Sequence, residues 1–190
     1  IGGSRIGKRI ASALEEMGGY NTKLIELSRE KSIRLANSLE NTLVINGDGR
    51  NLDLLKDEGI SKMQAFVAVT DNAEVNILAC QLAKKMGIKK TIAEVENLDY
   101  IPLAEGIGIG TMLNKKLLAA SHIYRYTMQA HVAYVKCLTS SNSEMLELIA
   151  QPSSKITKAA IKDVNLPREM NIGAIVRGSE VIIASGQTEI

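Results

Sequence analysis

The segment Ile1-Gly2-Gly3-Ser4-Arg5-Ile6-Gly7, together with the carboxylate of Glu26, is the part of this sequence whose residue types and spacing could do chemistry. Glycines spaced in this way let a chain turn sharply from a strand into a helix, and the free amide groups at the start of that helix attract an anion such as a pyrophosphate. A carboxylate about 20 residues later, at the end of the next strand, can accept both hydroxyls of a ribose. It would also repel a 2′-phosphate, so NAD(H) is expected to be preferred to NADP(H). Further polar residues follow later strand-like runs: Asp48 between Gly47 and Gly49, Thr70 and Asp71 after FVAV, and Glu94 after TIA. Asp48 could accept hydrogen bonds from an adenine amino group or a ribose, or could serve as a turn and helix cap, and the residues weigh equally for both. Asp71 or Asn72 reads as a helix cap whatever else it touches.

Elements with the right order must position these groups. After Gly7 the run KRIASALEEM has helical spacing and is stopped by Gly18 and Gly19. Lys23 to Leu27 reads as a strand, SREKSIRLANSLE as a helix, TLVING as a strand and NLDLLKDEGI as a short helix. QAFVAVT, NAEVNILACQLAKKMG and KKTIAEVEN continue as strand, helix and strand. Such alternation predicts right-handed βαβ units: an α/β fold with a Rossmann-like, doubly wound parallel sheet. The chain opens within the glycine turn, with nearly all of the preceding strand missing, and is therefore expected to be a fragment.

The pattern changes after Tyr100. Pro102 and the glycines of AEGIGIG read as a connector, followed by a helix from about Met112 to Met128 whose apolar face needs a cover. Residues 1–130 are assigned to the Rossmann-like domain and 131–190 to a small α+β domain. In the latter, AHVAYVKCL reads as a strand, SEMLELIA and TKAAIKDV as helices, and MNIGAIV and EVIIAS as two strands joined at Arg177-Gly178-Ser179. These are too few strands to finish a sheet, so the carboxyl end is expected to be truncated or disordered.

Composition excludes several functions. The net charge is +2 with acids and bases interspersed, and no basic run is interleaved with aromatics, which argues against a nucleic-acid surface. No apolar stretch approaches the ~20 residues of a membrane span, and the chain reads as soluble. Cys80 and Cys137 have no metal-ligand spacing with His122 or His131, so no metal site is expected and both thiols read as small core groups. None of the five tyrosines has a lysine four positions later, and the histidines lie beyond the strands. No catalytic apparatus is evident, and the chain is not expected to be an enzyme.

IGGSRIG, LIELS around Glu26, INGDG, LLKDEGI, FVAVTDNAEVN, TIAEVENLDY and LPREMNIGAIVRGSEVIIASGQTEI together resemble the RCK (also called KTN) regulatory domains of potassium channels and transporters, in particular those of Trk-type uptake systems. The resemblance implies a nucleotide-binding domain plus a small carboxyl-terminal domain, similar to the second of two tandem units in the longer members. It further implies a cytoplasmic regulator that forms dimers and a ring beneath a potassium-transporting membrane subunit and responds to NAD(H) or ATP/ADP. By the family pattern Gly2, Gly3, Ser4, Arg5, Ile6 and Gly7 would line the phosphate site, Glu26 the ribose, and Thr70 and Asp71 the nucleotide edge, while the position of Glu94 often holds a base. Ser4 replaces the middle glycine and Glu94 presents a negative charge, so this unit is expected to bind nucleotide weakly or by its adenosine end. Two alternatives are an NAD-dependent oxidoreductase and a ligand-free repeat that serves only as an oligomer interface.

Overall fold

The computed structural model describes residues 1–127, 132–138 and 143–190, with no side-chain description at 127 or 134–138. The expected boundary at 130, His131, and the Cys137 side chain therefore fall outside what is described. The chain divides into two compact units, the first comprising Ile1–Ala120 and the second including Ser143–Ile190.

The first unit is a run of βαβ crossovers. Helix α1 (Arg5–Met17) leads to β1 (Thr22–Glu26), α2 (Arg29–Ala36), β2 (Thr42–Asn46), α3 (Leu52–Asp57) and, after a 3₁₀ turn, β3 (Ala65–Ala68). Then come α4 (Ala73–Lys85), β4 (Lys90–Glu94), α5 (Tyr100–Gly106), β5 (Thr111–Leu113) and the start of α6 (Lys115–Thr127), whose residues from Ser121 on belong to the second unit. Helix starts are locally encoded: Ser28, Asn51 and Asn72 each accept a backbone N–H of the turn they precede. The expected role of Asp48 as a helix cap therefore falls to Asn51, and of the expected pair Asp71 or Asn72 it is Asn72 that caps.

All strand pairs here are parallel, β1 with β2 in one ladder and β3-β4-β5 in another. Ile1 and Gly2 bond to both ladders. The Gly2 N–H donates to Ile25 O at 3.0 Å, and the Val69 N–H donates to Ile1 O at 3.0 Å. The spatial order β2-β1-(Ile1, Gly2)-β3-β4-β5 is the doubly wound order expected. Below that junction an apolar cavity of about 690 Å³ is lined by Ile10 and Leu14 of α1, Leu24 of β1, and Ile60, Met63 and Phe66.

Small residues dominate the core between β3, β4 and the helices: Ala68, Ala79, Cys80, Ala83, Ala93 and Ala104 are fully buried. They let α4 and α5 approach the sheet closely, while Leu55 and Ile88 fill the edges, each contributing roughly 1.5–3 kcal/mol by burial. Cys80 is a core residue as expected, and burial pushes its thiol up to about 11.

Two expectations in this unit are corrected. The Pro102 stretch is not a connector but α5, because Pro102 falls in the first helical turn, where no hydrogen bond from its nitrogen is needed. The helix expected from Met112 starts at Lys115, since Thr111–Leu113 instead pair with Ile92–Glu94 as β5. Three residues are too few for any periodicity to announce a strand.

The second unit contains β6 (Val132–Leu138) paired with β7 (Ser143–Leu148), and an antiparallel pair β8 (Ala174–Arg177) and β9 (Glu180–Ile183). The expected turn is present: Arg177 faces Glu180 across Gly178 (φ 64°) and Ser179. Both expected helices are absent. SEMLEL of the first run forms β7, a short segment whose spacing suits either state until a partner strand decides it. TKAAIKDV forms parts of two 3₁₀ turns, because the Ile161 and Lys162 amides donate to Thr188 O and Gly186 O instead of closing helical turns.

Candidate functional site

The glycine turn is locked by close approaches that only glycine allows. Gly2 has φ 95°, and a Cβ there would lie 2.8 Å from Thr70 N. A Cβ on Gly3 would lie 2.3 Å from Leu35 Cδ1 and 2.7 Å from Glu26 Oε2, so the bare backbone lets both α2 and the carboxylate reach the turn. Ser4, the departure from a glycine, has φ −65° and ψ 177° and is unstrained. Its Oγ donates to Val69 O at 3.3 Å and does not cap α1. The first helical bond runs from Lys8 N–H to Ser4 O, so the amides of Arg5, Ile6 and Gly7 are used by no helical bond. A pyrophosphate fits this set of donors.

Glu26 ends β1 with 8% of its surface exposed. Its Oε2 accepts the Gly3 N–H at 2.7 Å, and its Oε1 accepts the Ser28 N–H at 2.8 Å. The carboxylate therefore joins the turn to the start of α2, and each oxygen retains an acceptor position for a hydroxyl. Asp48 is engaged differently. Its Oδ1 accepts the Arg50 N–H at 2.9 Å and its Oδ2 accepts Arg50 Nη2 at 2.7 Å, and the guanidinium holds its carboxyl below the usual range. Ile1 packs against Gly49, where a Cβ would lie 2.4 Å from Ile1 Cγ2, so this loop stays beside the turn.

Thr70 and Glu94 are joined by a residue the sequence reading did not single out. Asn76 of α4 is fully buried; its Oδ1 accepts the Thr70 N–H at 3.0 Å, and its Nδ2 donates to Thr70 O at 3.0 Å and Glu94 O at 2.9 Å. Asn46 spans Glu26 O and Leu27 O, and Asn114 spans Val95 O and Glu96 O, in the same manner. Side-chain amides thus complete the backbone bonding at the carboxyl edge of the sheet. Their signal in sequence is an asparagine at or just past the end of a strand or one turn into a helix, which is too common to stand out. Asp71 is exposed beside them.

The charge on Glu94 is also answered. Lys115 Nζ lies 2.6 Å from Glu94 Oε1 and 2.7 Å from Glu96 Oε1. Its hydrogen bonds to Glu94 and then Glu96 push it up to about 12. The hydrogen bond to Lys115 draws Glu96 below its ordinary 4.5. A lowered carboxylate stabilises the fold fully above pH 4.5 and loses that contribution as pH falls through the lowered value. The raised ammonium contributes fully below 10.5 and loses its contribution as pH rises to about 12. Lys115→Gln is therefore expected to cost about 1 kcal/mol, a value discounted for the half-exposed ammonium. The difference in melting temperature from the parent should stay constant between about pH 5 and 10 and shrink outside those limits.

The described histidine, His122 on α6, has its Nδ1 3.2 Å from Arg125 Nη2. Among the described residues no group of His, Cys, Asp and Glu could hold a metal ion, and no helix is long and apolar enough to cross a membrane.

Known proteins share this fold. The TrkA-N domain of the inner membrane protein ybaL from Escherichia coli superposes with a TM-score of 0.60 at 15% identity, over 67% of this chain and 93% of that one. The NAD(P)-binding domain of an exopolyphosphatase-related protein from Archaeoglobus fulgidus gives 0.58 at 13% identity, over 66% of this chain and 92% of that one. These likenesses establish the Rossmann fold. In sequence, the Trk system potassium uptake protein TrkA of Vibrio alginolyticus is 35% identical over 193 residues, covering 100% of this chain. TrkA homolog 1 of Methanosarcina mazei is 34% identical, covering 98%. The chain spans 42% of the length of each of these relatives. With residues 1–115 matching the TrkA-N domain family model across the turn, Glu26 and the strand ends described above, the chain belongs to the TrkA-N domain family.

Proposed function

We propose that this chain is a nucleotide-binding regulatory unit of a potassium uptake system, which senses its ligand and does no chemistry on it. The observation that carries the reading is the glycine turn joined to Glu26: unused helix amides for phosphates beside a buried carboxylate for a ribose diol. Gly2, Gly3, Ser4, Arg5, Ile6 and Gly7 are assigned to the phosphates and Glu26 to the ribose. Thr70 and Asp71 flank the nucleotide edge, and Asp48 lies near it with its carboxylate already paired to Arg50. NAD(H) is the favoured ligand, with ATP or ADP as the alternative.

Potassium uptake enters through the names of the relatives. The partner would be a potassium-transporting membrane subunit, with this chain peripheral on its cytoplasmic side, within a homo-oligomer, as residues 1–130 plus a carboxyl-terminal domain 131–190 of a tandem arrangement. The oxidoreductase reading would need a proton donor at the nicotinamide end, and the sequence offers no convincing one. Regulation requires the nucleotide to bind one arrangement of the assembly better than another, since equal affinity shifts nothing.

Calorimetric titration with NADH, NAD, ATP, ADP and NADPH tests this reading. Saturable binding is expected, tighter for NADH than for NADPH, and weakened more than about ten-fold by Glu26→Ala with the fold verified by circular dichroism. Heat from none of the nucleotides would overturn it and leave a scaffold.

A further inference from the structure

Helices α1 and α2 flank an open hollow of about 390 Å³, lined by Arg5 and Lys8 of α1, Lys31 and Arg34 of α2, and Ser4 and Ser38. Each helix contributes two cations spaced three residues apart, so both pairs face one space, and no acidic residue lines it. Like charges collected in this way repel one another. Several cations elsewhere in the unit are matched: Lys23 with Glu58, Arg50 with Asp48, and Lys115 with Glu94 and Glu96. In the hollow, the ion pairs among the described residues are limited to Arg34 with Glu30, one turn away on the same exposed face. The first turn of α1 also carries Arg5 and Lys8 and no acid, although its dipole favours negative charge there. A multiply charged anion would relieve both conflicts at once.

We infer that the hollow between α1 and α2 binds a chain of phosphoryl groups, with Arg5 and Lys8 holding one side and Lys31 and Arg34 the other. Guanidinium groups take phosphate oxygens in pairs, and the two lysines add point charges. The volume lies within the ~300–1,000 Å³ of ligand pockets, and the hollow adjoins the glycine turn through Gly3 and Ser4. Such a chain can come from free polyphosphate or from the tail of a nucleoside triphosphate. The inference deepens the nucleotide reading: the second source rests on it and the first does not.

The test is titration of the full chain with inorganic tripolyphosphate, ATP and NADH. The variants are Lys31→Gln/Arg34→Gln and a control, Lys62→Gln/Lys85→Gln, which removes the same charge elsewhere; unchanged melting temperatures verify the fold. Tripolyphosphate is expected to bind the parent and the control alike and the groove variant about ten-fold or more weakly, with NADH affinity unchanged by either. If ATP weakens in parallel, the nucleotide tail occupies the groove; if ATP is unaffected, free polyphosphate is the source. No binding of tripolyphosphate to the parent, or equal weakening by the control, overturns the inference. The NADH arm separates the two readings: NADH binding without tripolyphosphate binding leaves the nucleotide site standing, and the reverse leaves only the groove.

Discussion

Replacing Asn76 by alanine is expected to destabilise the protein by about 3 kcal/mol, seen as a lower urea midpoint by circular dichroism. The residue is fully buried and bonds to Thr70 N, Thr70 O and Glu94 O. Alanine leaves that amide and both carbonyls without the partner, in a place water enters poorly. Asn76→Asp should cost at least as much, because its second oxygen would face two carbonyl oxygens where the amide now donates. A change below about 1 kcal/mol for Asn76→Ala would mean that solvent reaches these strand ends and that Asn76 does not organise them. Since Thr70 and Glu94 lie at the carboxyl edge of the sheet, nucleotide affinity should fall with stability.

The second large effect is expected at Gly7. Helix propensity alone would make Gly7→Ala favourable by about 1 kcal/mol. The turn reverses the sign, because a Cβ at Gly7 would lie 1.9 Å from Gly2 O. Gly2 has little room to retreat, since a Cβ built on it would lie only 2.8 Å from Thr70 N and its amide is bonded to Ile25 O. Relief must therefore shift Ile1 and Gly2 out of the junction between the ladders, at a cost of about 3 kcal/mol or more. Chemical denaturation measures that cost, and titration with NADH should show no saturable binding. If Gly7→Ala were neutral or stabilising, the turn would not be packed as described.

Reading along the chain captured what is local. Gly2, Gly3 and Gly7 announced the turn, Val-rich runs and 3.6-residue spacing announced the alternating strands and helices, and Glu26 stood at the expected distance. What escaped depended on partners distant in sequence. Thr111–Leu113 became a strand only through β4, and SEMLEL only through β6. Lys115 acquired a role because α6 begins beside Glu94 and Glu96.

The amino-acid sequence by itself determined the order of βαβ units and the chemistry available at their turns, because backbone preferences and apolar periodicity act within a few residues. Tertiary structure decided which polar groups meet. It joined Glu26 to the Gly3 and Ser28 amides, paired Asp48 with Arg50, neutralised Glu94 through Lys115 and gathered four cations between α1 and α2. Hydrogen bonds and charge pairs act over about 3–4 Å in space, a distance that sequence separation does not encode.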